Sequence, residues 1–217
     1  MRYTQCGTPV GRAGRRENAV DDNFFALISR MRYITRWGLM RNSVEENIQE
    51  HSHMVAVIAH ALGVIRRDVF GLEADPNALA AAALFHDASE ILTGDLPTPI
   101  KYHSGEITEA YHAVEDLASN QLLNMLPVEM RGAYVSLLTG NVGEYEKKLL
   151  KAADRISAYV KCVEERKAGN NEFLSAEKQT RARIEAMGLA EADYFMERFI
   201  PAFEKNLDEM GMMEEKS

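Results

Sequence analysis

Long hydrophobic runs, cysteine and excess positive charge are all scarce in this chain, and each shortage removes a class of function. No stretch approaches the roughly 20 apolar residues that cross a bilayer, and the N-terminus lacks the apolar core of a signal peptide. The expectation is a cytoplasmic protein with no membrane partner. The two cysteines, Cys6 and Cys162, are too far apart to read as a disulfide framework or a zinc knuckle, so reduced thiols are the plain reading. Lysine and arginine total 25 against 33 aspartates and glutamates, a net charge of -8 that argues against binding long nucleic acid through a basic face. A small anionic substrate stays open, because a metal and one or two arginines can invert the local potential. Alternating strand runs, Asn-Gly hairpin turns and repeats of solenoid period are missing too, so a sheet or a solenoid is not expected.

What remains is helical periodicity over a length, 217 residues, that suits one medium domain. Residues 1 to 22 carry Gly7, Gly11 and Gly14 with no sustained pattern and read as a flexible N-terminal leader. From residue 23 onward the pattern predicts a single all-α domain. Phe24, Phe25, Leu27, Ile28 and Met31 give a first helix its apolar face. Ser43 with Glu46 three residues on predicts a capping box, followed by a stripe of Val44, Ile48, Val55, Ile58, Leu62 and Ile65. Asp75-Pro76 starts a third helix that is expected to continue to Gly94. Further helices are predicted over about 106–126, 129–138, 144–168, 172–187 and 191–209, with Gly169 as a stop signal.

Within the third of these segments, the run 81–90 places His86-Asp87 among alanines, Leu84 and Phe85. A polar pair in a segment that otherwise reads as buried is costly unless compensated, and imidazole with carboxylate suits a borderline first-row cation. Two ligands do not close a shell, so others are needed. Of the three histidines near the second helix, only His51 falls on the buried stripe; His53 and His60 fall on the opposite side. A lone core histidine is more often structural than ligating, and His51 gains weight only from its company. Asp154 shares a helix face with Leu150 and Ala158, and a buried aspartate must be paired or ligate something. Glu90 lies four residues after His86 and three after Asp87, where a general acid or base could work beside a cation.

The order His51, His86-Asp87, Asp154 resembles the HD-domain phosphohydrolase superfamily. Thr35-Arg36-Trp37, Leu39 to Asn42, Glu50-His51-Ser52, His86 to Glu90, Leu92 to Pro99 and Gly169 to Phe173 are similar to the bacterial 5′-deoxynucleotidase family within it. The resemblance runs from about residue 23 to the C-terminus. It implies an HD-domain bundle of about seven to nine helices over 23–217 and one divalent metal, with cobalt, manganese, zinc and iron all fitting the donor set. His51, His86, Asp87 and Asp154 would hold the metal, with Glu90 as the catalytic carboxylate. Arg36 and Trp37 would orient the phosphate, and Asp95, Leu96, Pro97 and Thr98 would meet the sugar, with Asp87 and Asp154 also touching substrate. The implied activity is metal-dependent hydrolysis of deoxyribonucleoside 5′-monophosphates by a homodimer. The rival readings are another HD nucleotide phosphohydrolase, acting on a triphosphate, cyclic nucleotide or alarmone, a nucleotide-sensing module without catalysis, and a helical scaffold around a structural metal. His103 and His112, where two-metal members of the superfamily carry extra ligands, read as surface histidines.

Overall fold

The computed structural model describes residues 22–211 apart from 102 and 141, and only the backbone of residues 98 and 99. The expected leader lies, but for its last residue, outside the described residues. Among these the structure is helical with no strand, and Thr35 and Asn47 form an isolated antiparallel bridge. The expected all-α architecture is borne out. In chain order the helices are α1 (Phe24–Ile28), α2 (Ile48–Val64), α3 (Pro76–Leu84), α4 (Glu90–Thr93), α5 (Thr98–Lys101), α6 (Gly105–Asn124), α7 (Val128–Thr139), α8 (Glu144–Lys167), α9 (Leu174–Glu185), α10 (Ala190–Arg198) and α11 (Ile200–Phe203).

Three local expectations are corrected. Ser43 does not cap α2: residues 43–47 are non-helical, and the Asn47 side chain accepts the Glu50 amide as the true N-cap. Glu46 is drawn elsewhere, and Val44, expected on the buried stripe, is exposed. The segment from Asp75 to Gly94 is not one helix. Asp75 does cap α3, accepting from the Asn77 and Ala78 amides, but the helix stops at Leu84 and the chain turns tightly over 85–89 before α4. His86 Nδ1 lies 2.7 Å from the Ala83 carbonyl oxygen, the acceptor that the Asp87 amide would use in a continuing helix. The last expected helix breaks at Phe199, because Pro201 at the start of α11 has no amide to continue the ladder.

Helices α2 and α8 pack side by side, with α3 against α2 and α9 against α8. One core joins Val55, Ile58 and Leu62 of α2, and Ile65 just beyond it, to Leu79 of α3, Leu149, Ile156 and Val160 of α8, Ile184 of α9 and Phe195 of α10. A second core sets Phe24 against Ala88, Leu122, Leu126 and Leu138, with Phe85 and Tyr134 at its edge. The turn that carries His86 and Asp87 is thus held on both flanks, by Phe85 and by Ala88. Behind the cores, Tyr145 and Arg66 bond the buried Glu191 carboxylate at 2.9 and 2.8 Å and tie α8 and the end of α2 to α10.

The closeness of α2 and α3 depends on Gly63, where an added Cβ would lie 2.9 Å from both Pro76 Cα and Leu79 Cδ1. In an open helical site alanine would stabilise relative to glycine by about 0.5–1 kcal/mol. Here overpacking reverses the sign. Gly63→Ala is expected to lower stability by about 1–3 kcal/mol in urea unfolding; a gain would show that the two helices separate freely.

Candidate functional site

Four elements converge where the site residues lie. His51 comes from α2, His86 and Asp87 from the turn after α3, Glu90 from the first turn of α4, and Asp154 from α8. His51, His86 and Asp154 offer donor atoms within 4.8 Å of one another, the one such cluster among the described residues. His51 Nε2 lies 3.3 Å from Asp154 Oδ1 and 3.7 Å from Asp87 Oδ2, and His86 Nε2 lies 3.0 Å from Asp87 Oδ2. His53 and His60 are exposed on the other side of α2, as helical phase predicts. His103 is exposed as well, and the exposed His112 meets Glu115 at 3.0 Å, away from this cluster.

The donor set fits a cation on a specific observation. His51 Nε2 and His86 Nε2 are buried and make no hydrogen bond. The opposite ring nitrogens are occupied: His86 Nδ1 meets the Ala83 carbonyl at 2.7 Å, and His51 Nδ1 meets Ser157 Oγ at 3.1 Å. The Ala83 contact makes Nδ1 the protonated nitrogen of a neutral His86 and leaves the lone pair on Nε2, facing carboxylate oxygen. Holding a ligating histidine by its second nitrogen is a regular feature of metal sites. Ser157 carried no sequence signal; a serine on an amphipathic helix reads as neutral, and only the α2–α8 packing brings it to His51.

The charges are strongly interdependent. Burial, then the Arg36 guanidinium, lowers the His51 imidazole below its ordinary value. Burial acts the same way on His86, but Asp87 more than offsets it and raises that imidazole. For Asp87, burial is opposed by His86 and His51, which hold the carboxyl well below the usual range. Asp154 is likewise held low against burial by Lys151, whose Nζ is 2.9 Å away, and by His51. Glu90 is different. Burial, reinforced by Asp87 and Asp95, pushes its carboxyl up to about 9, and its Oε2 is buried without a hydrogen bond. Burial also raises Asp95, which the Arg36 charge opposes.

Arg36 lies among these acids: against the cost of burial, Glu46, Asp87, Asp154 and Asp95 all stabilise its charge. Its Nη1 bonds Glu46 Oε2 at 3.0 Å. Trp37 donates its indole N–H to the same oxygen at 2.9 Å and packs its ring on Phe173, 5.3 Å between centroids. Trp37 has φ 59°, a left-handed value that costs a bulky residue about 1–3 kcal/mol and persists only when its surroundings impose it. Asp95, Leu96 and Pro97 form a half-buried loop between α4 and α5. The Thr98 side chain lies outside the described residues.

Comparison with known proteins agrees with this architecture. Residues 23–203 match the family described as 5′-deoxynucleotidase YfbR-like. The 5′-deoxynucleotidase YfbR of Shigella boydii is 47% identical over 190 residues, covering 87% of this chain and 96% of its own, and that of Escherichia coli K12 aligns equally well. Among solved structures, an HD-domain phosphohydrolase from Listeria innocua superposes with a TM-score of 0.72 at 28% identity, covering 83% of this chain and 88% of its own. The HD phosphohydrolase of cyanophage S-2L, solved with dA and one catalytic Zn2+, shares the fold with a TM-score of 0.60 at 21% identity, over 83% of this chain and 96% of that one. With a relative at this identity over nearly its whole length and the HD cluster assembled, the chain belongs to the 5′-deoxynucleotidase YfbR-like family of HD-domain phosphohydrolases.

Proposed function

We propose that this protein hydrolyses deoxyribonucleoside 5′-monophosphates to deoxynucleoside and orthophosphate, with one divalent metal held by His51, His86, Asp87 and Asp154. The observation that carries the reading is the pair of buried, unbonded imidazole nitrogens facing carboxylates. The nitrogen and oxygen donors suit cobalt, manganese, zinc or iron. A cation there supplies Lewis acidity, activating water near neutral pH and drawing charge from phosphoryl oxygen.

The rest falls to the chain's own side chains. The Arg36 fork neutralises phosphate oxygens and fixes their orientation, with Trp37 beside it. Glu90 Oε2, buried and without a partner, carries the proton that the leaving 5′-oxygen needs. The Asp95 to Thr98 loop meets the sugar, and a close fit there excludes a 2′-hydroxyl by crowding. Residues 1–22 are read as an N-terminal leader and residues 23–217 as the HD domain, a reading supported by a family match over residues 23–203. No helix among the described residues is long and apolar enough to cross a membrane. A cytoplasmic setting is where nucleoside monophosphates are met. Val114 and Leu117, three residues apart on α6, are exposed and apolar, a small patch compatible with the homodimer that the family resemblance implies.

After chelation and re-addition of single divalent metals, dAMP is expected to release orthophosphate and AMP far less. Equal turnover of the two would remove the crowding account, and pyrophosphate or tripolyphosphate from triphosphates would move the chain to another HD activity. Glu90→Ala is expected to retain metal while losing about 100- to 10,000-fold in kcat, whereas Asp154→Ala loses both metal and turnover; an active Glu90→Ala enzyme would reject the assigned role. Ser157→Ala frees the His51 ring, and calorimetric titration with Mn2+ is expected to show an affinity about 10-fold or more weaker. Unchanged affinity would mean that packing alone orients His51.

A further inference from the structure

Glu46 lies on no helix, holds no place in the HD cluster and was legible in sequence only as a capping residue that it is not. Its single oxygen Oε2 nevertheless takes two hydrogen bonds, from Arg36 Nη1 at 3.0 Å and from Trp37 Nε1 at 2.9 Å. The backbone brings these residues side by side. Residues 34–36 run antiparallel to 46–48, with Arg36 N bonding Glu46 O at 2.8 Å and Ile48 N bonding Ile34 O at 3.0 Å. Trp37 then leaves this pairing with φ 59°, and its carbonyl accepts the Met40 amide at 2.8 Å. That left-handed turn brings the indole N–H to the carboxylate that also holds Arg36. The segment behind Glu46 is anchored as well: the Ser43 and Val44 amides bond the Glu165 carboxylate of α8 at 2.8 and 3.3 Å, and buried Lys161 bonds both Glu165 and the Val44 carbonyl. Arg36 and Glu46 side chains are 13% and 14% exposed, so the contact is shielded from water.

We propose that Glu46 is a positioning residue for phosphate recognition, pinning the Arg36 guanidinium and the Trp37 indole as one unit beside the metal cluster. The proposal rests on the phosphomonoesterase reading, in which those two side chains face the substrate phosphate. A guanidinium has five N–H donors, and holding one at Nη1 leaves the others free while removing rotational freedom from the fork. Pre-ordering of this kind lowers the entropy lost when the dianion binds. The arrangement also has an electrostatic cost, because a carboxylate beside Arg36 weakens its attraction for phosphate. Position and charge therefore make opposite predictions for substitution. If Glu46 acted by charge, deleting the carboxylate would tighten phosphate binding. If it acts by position, deleting the acceptor loosens binding, and an uncharged acceptor of the same length restores it.

Trp37 is the only tryptophan in the chain, so its emission reports this contact without reference to turnover. Three variants, Glu46→Ala, Glu46→Gln and Glu46→Asp, are compared with the parent by dAMP kinetics and by titration with inorganic phosphate followed through Trp37 fluorescence. Glu46→Ala is expected to raise KM about ten-fold, with a smaller fall in kcat, and to need roughly ten-fold more phosphate for the same emission change. Glu46→Gln recovers most of that loss. Glu46→Asp keeps the charge but falls short of both donors, so it behaves like Glu46→Ala and serves in its place where the alanine variant does not fold. Tighter phosphate binding in Glu46→Ala, or a glutamine variant as impaired as the alanine one, overturns the proposal. Failure of the phosphomonoesterase reading would appear differently, as a parent that releases no orthophosphate from any deoxynucleotide; the phosphate titration still decides the role of Glu46 in that case.

Discussion

His51 Nε2 and His86 Nε2 sit 3.3 and 3.0 Å from carboxylate oxygens, buried, with no hydrogen bond to relieve the contact. For a neutral His86 with its proton on Nδ1, the Nε2 lone pair against an anionic oxygen is costly in a poorly solvated site, and a cation among the donors turns the same arrangement into an attraction. Much of the fold serves to keep it. Packing of α2 on α8 brings His51 to Asp154 and Ser157. In the turn at 85–89 the His86 ring takes the Ala83 carbonyl, and the turn brings Asp87 and the buried Glu90 to the cluster. A continuous helix would have projected the pair along a different face.

The surrounding charges divide into groups kept ionised and one kept neutral. Asp87 and Asp154 are held low by the histidines and Lys151, which keeps them in the ionised form that a cation would need. Glu90, a few residues on, has burial and two acidic neighbours acting against its charge. Environments that push carboxyl groups in opposite directions are how one pocket separates metal binding from proton transfer. Arg36 is the cationic counterweight, and the paired segments 34–36 and 46–48 deliver it to the acids with a fixed orientation.

Much of this was legible in the residues themselves. The phase of α2 picks His51 from its two neighbours, and the apolar setting of His86-Asp87 and of Asp154 marks them as polar groups in need of a partner. The all-α class follows from periodicity. What escaped are features set by competition between distant segments. Ser43 and Glu46 satisfy the capping-box pattern, but Asn47 caps the helix and Glu46 is taken by Arg36 and Trp37, about ten residues earlier in the chain. At the break after Leu84 a side chain takes the backbone carbonyl that a continuing helix would use, a competition that helix propensity does not register. Ser157 becomes informative only once α2 and α8 are side by side.

The central claim is that these two imidazoles and their carboxylates form a single cation site. Metal content after equilibration with Co2+ and desalting, read by inductively coupled plasma mass spectrometry, tests it most directly. The account predicts one cation per chain in the parent and essentially none in a folded His51→Ala/His86→Ala double variant. Full retention of metal by that variant would contradict it.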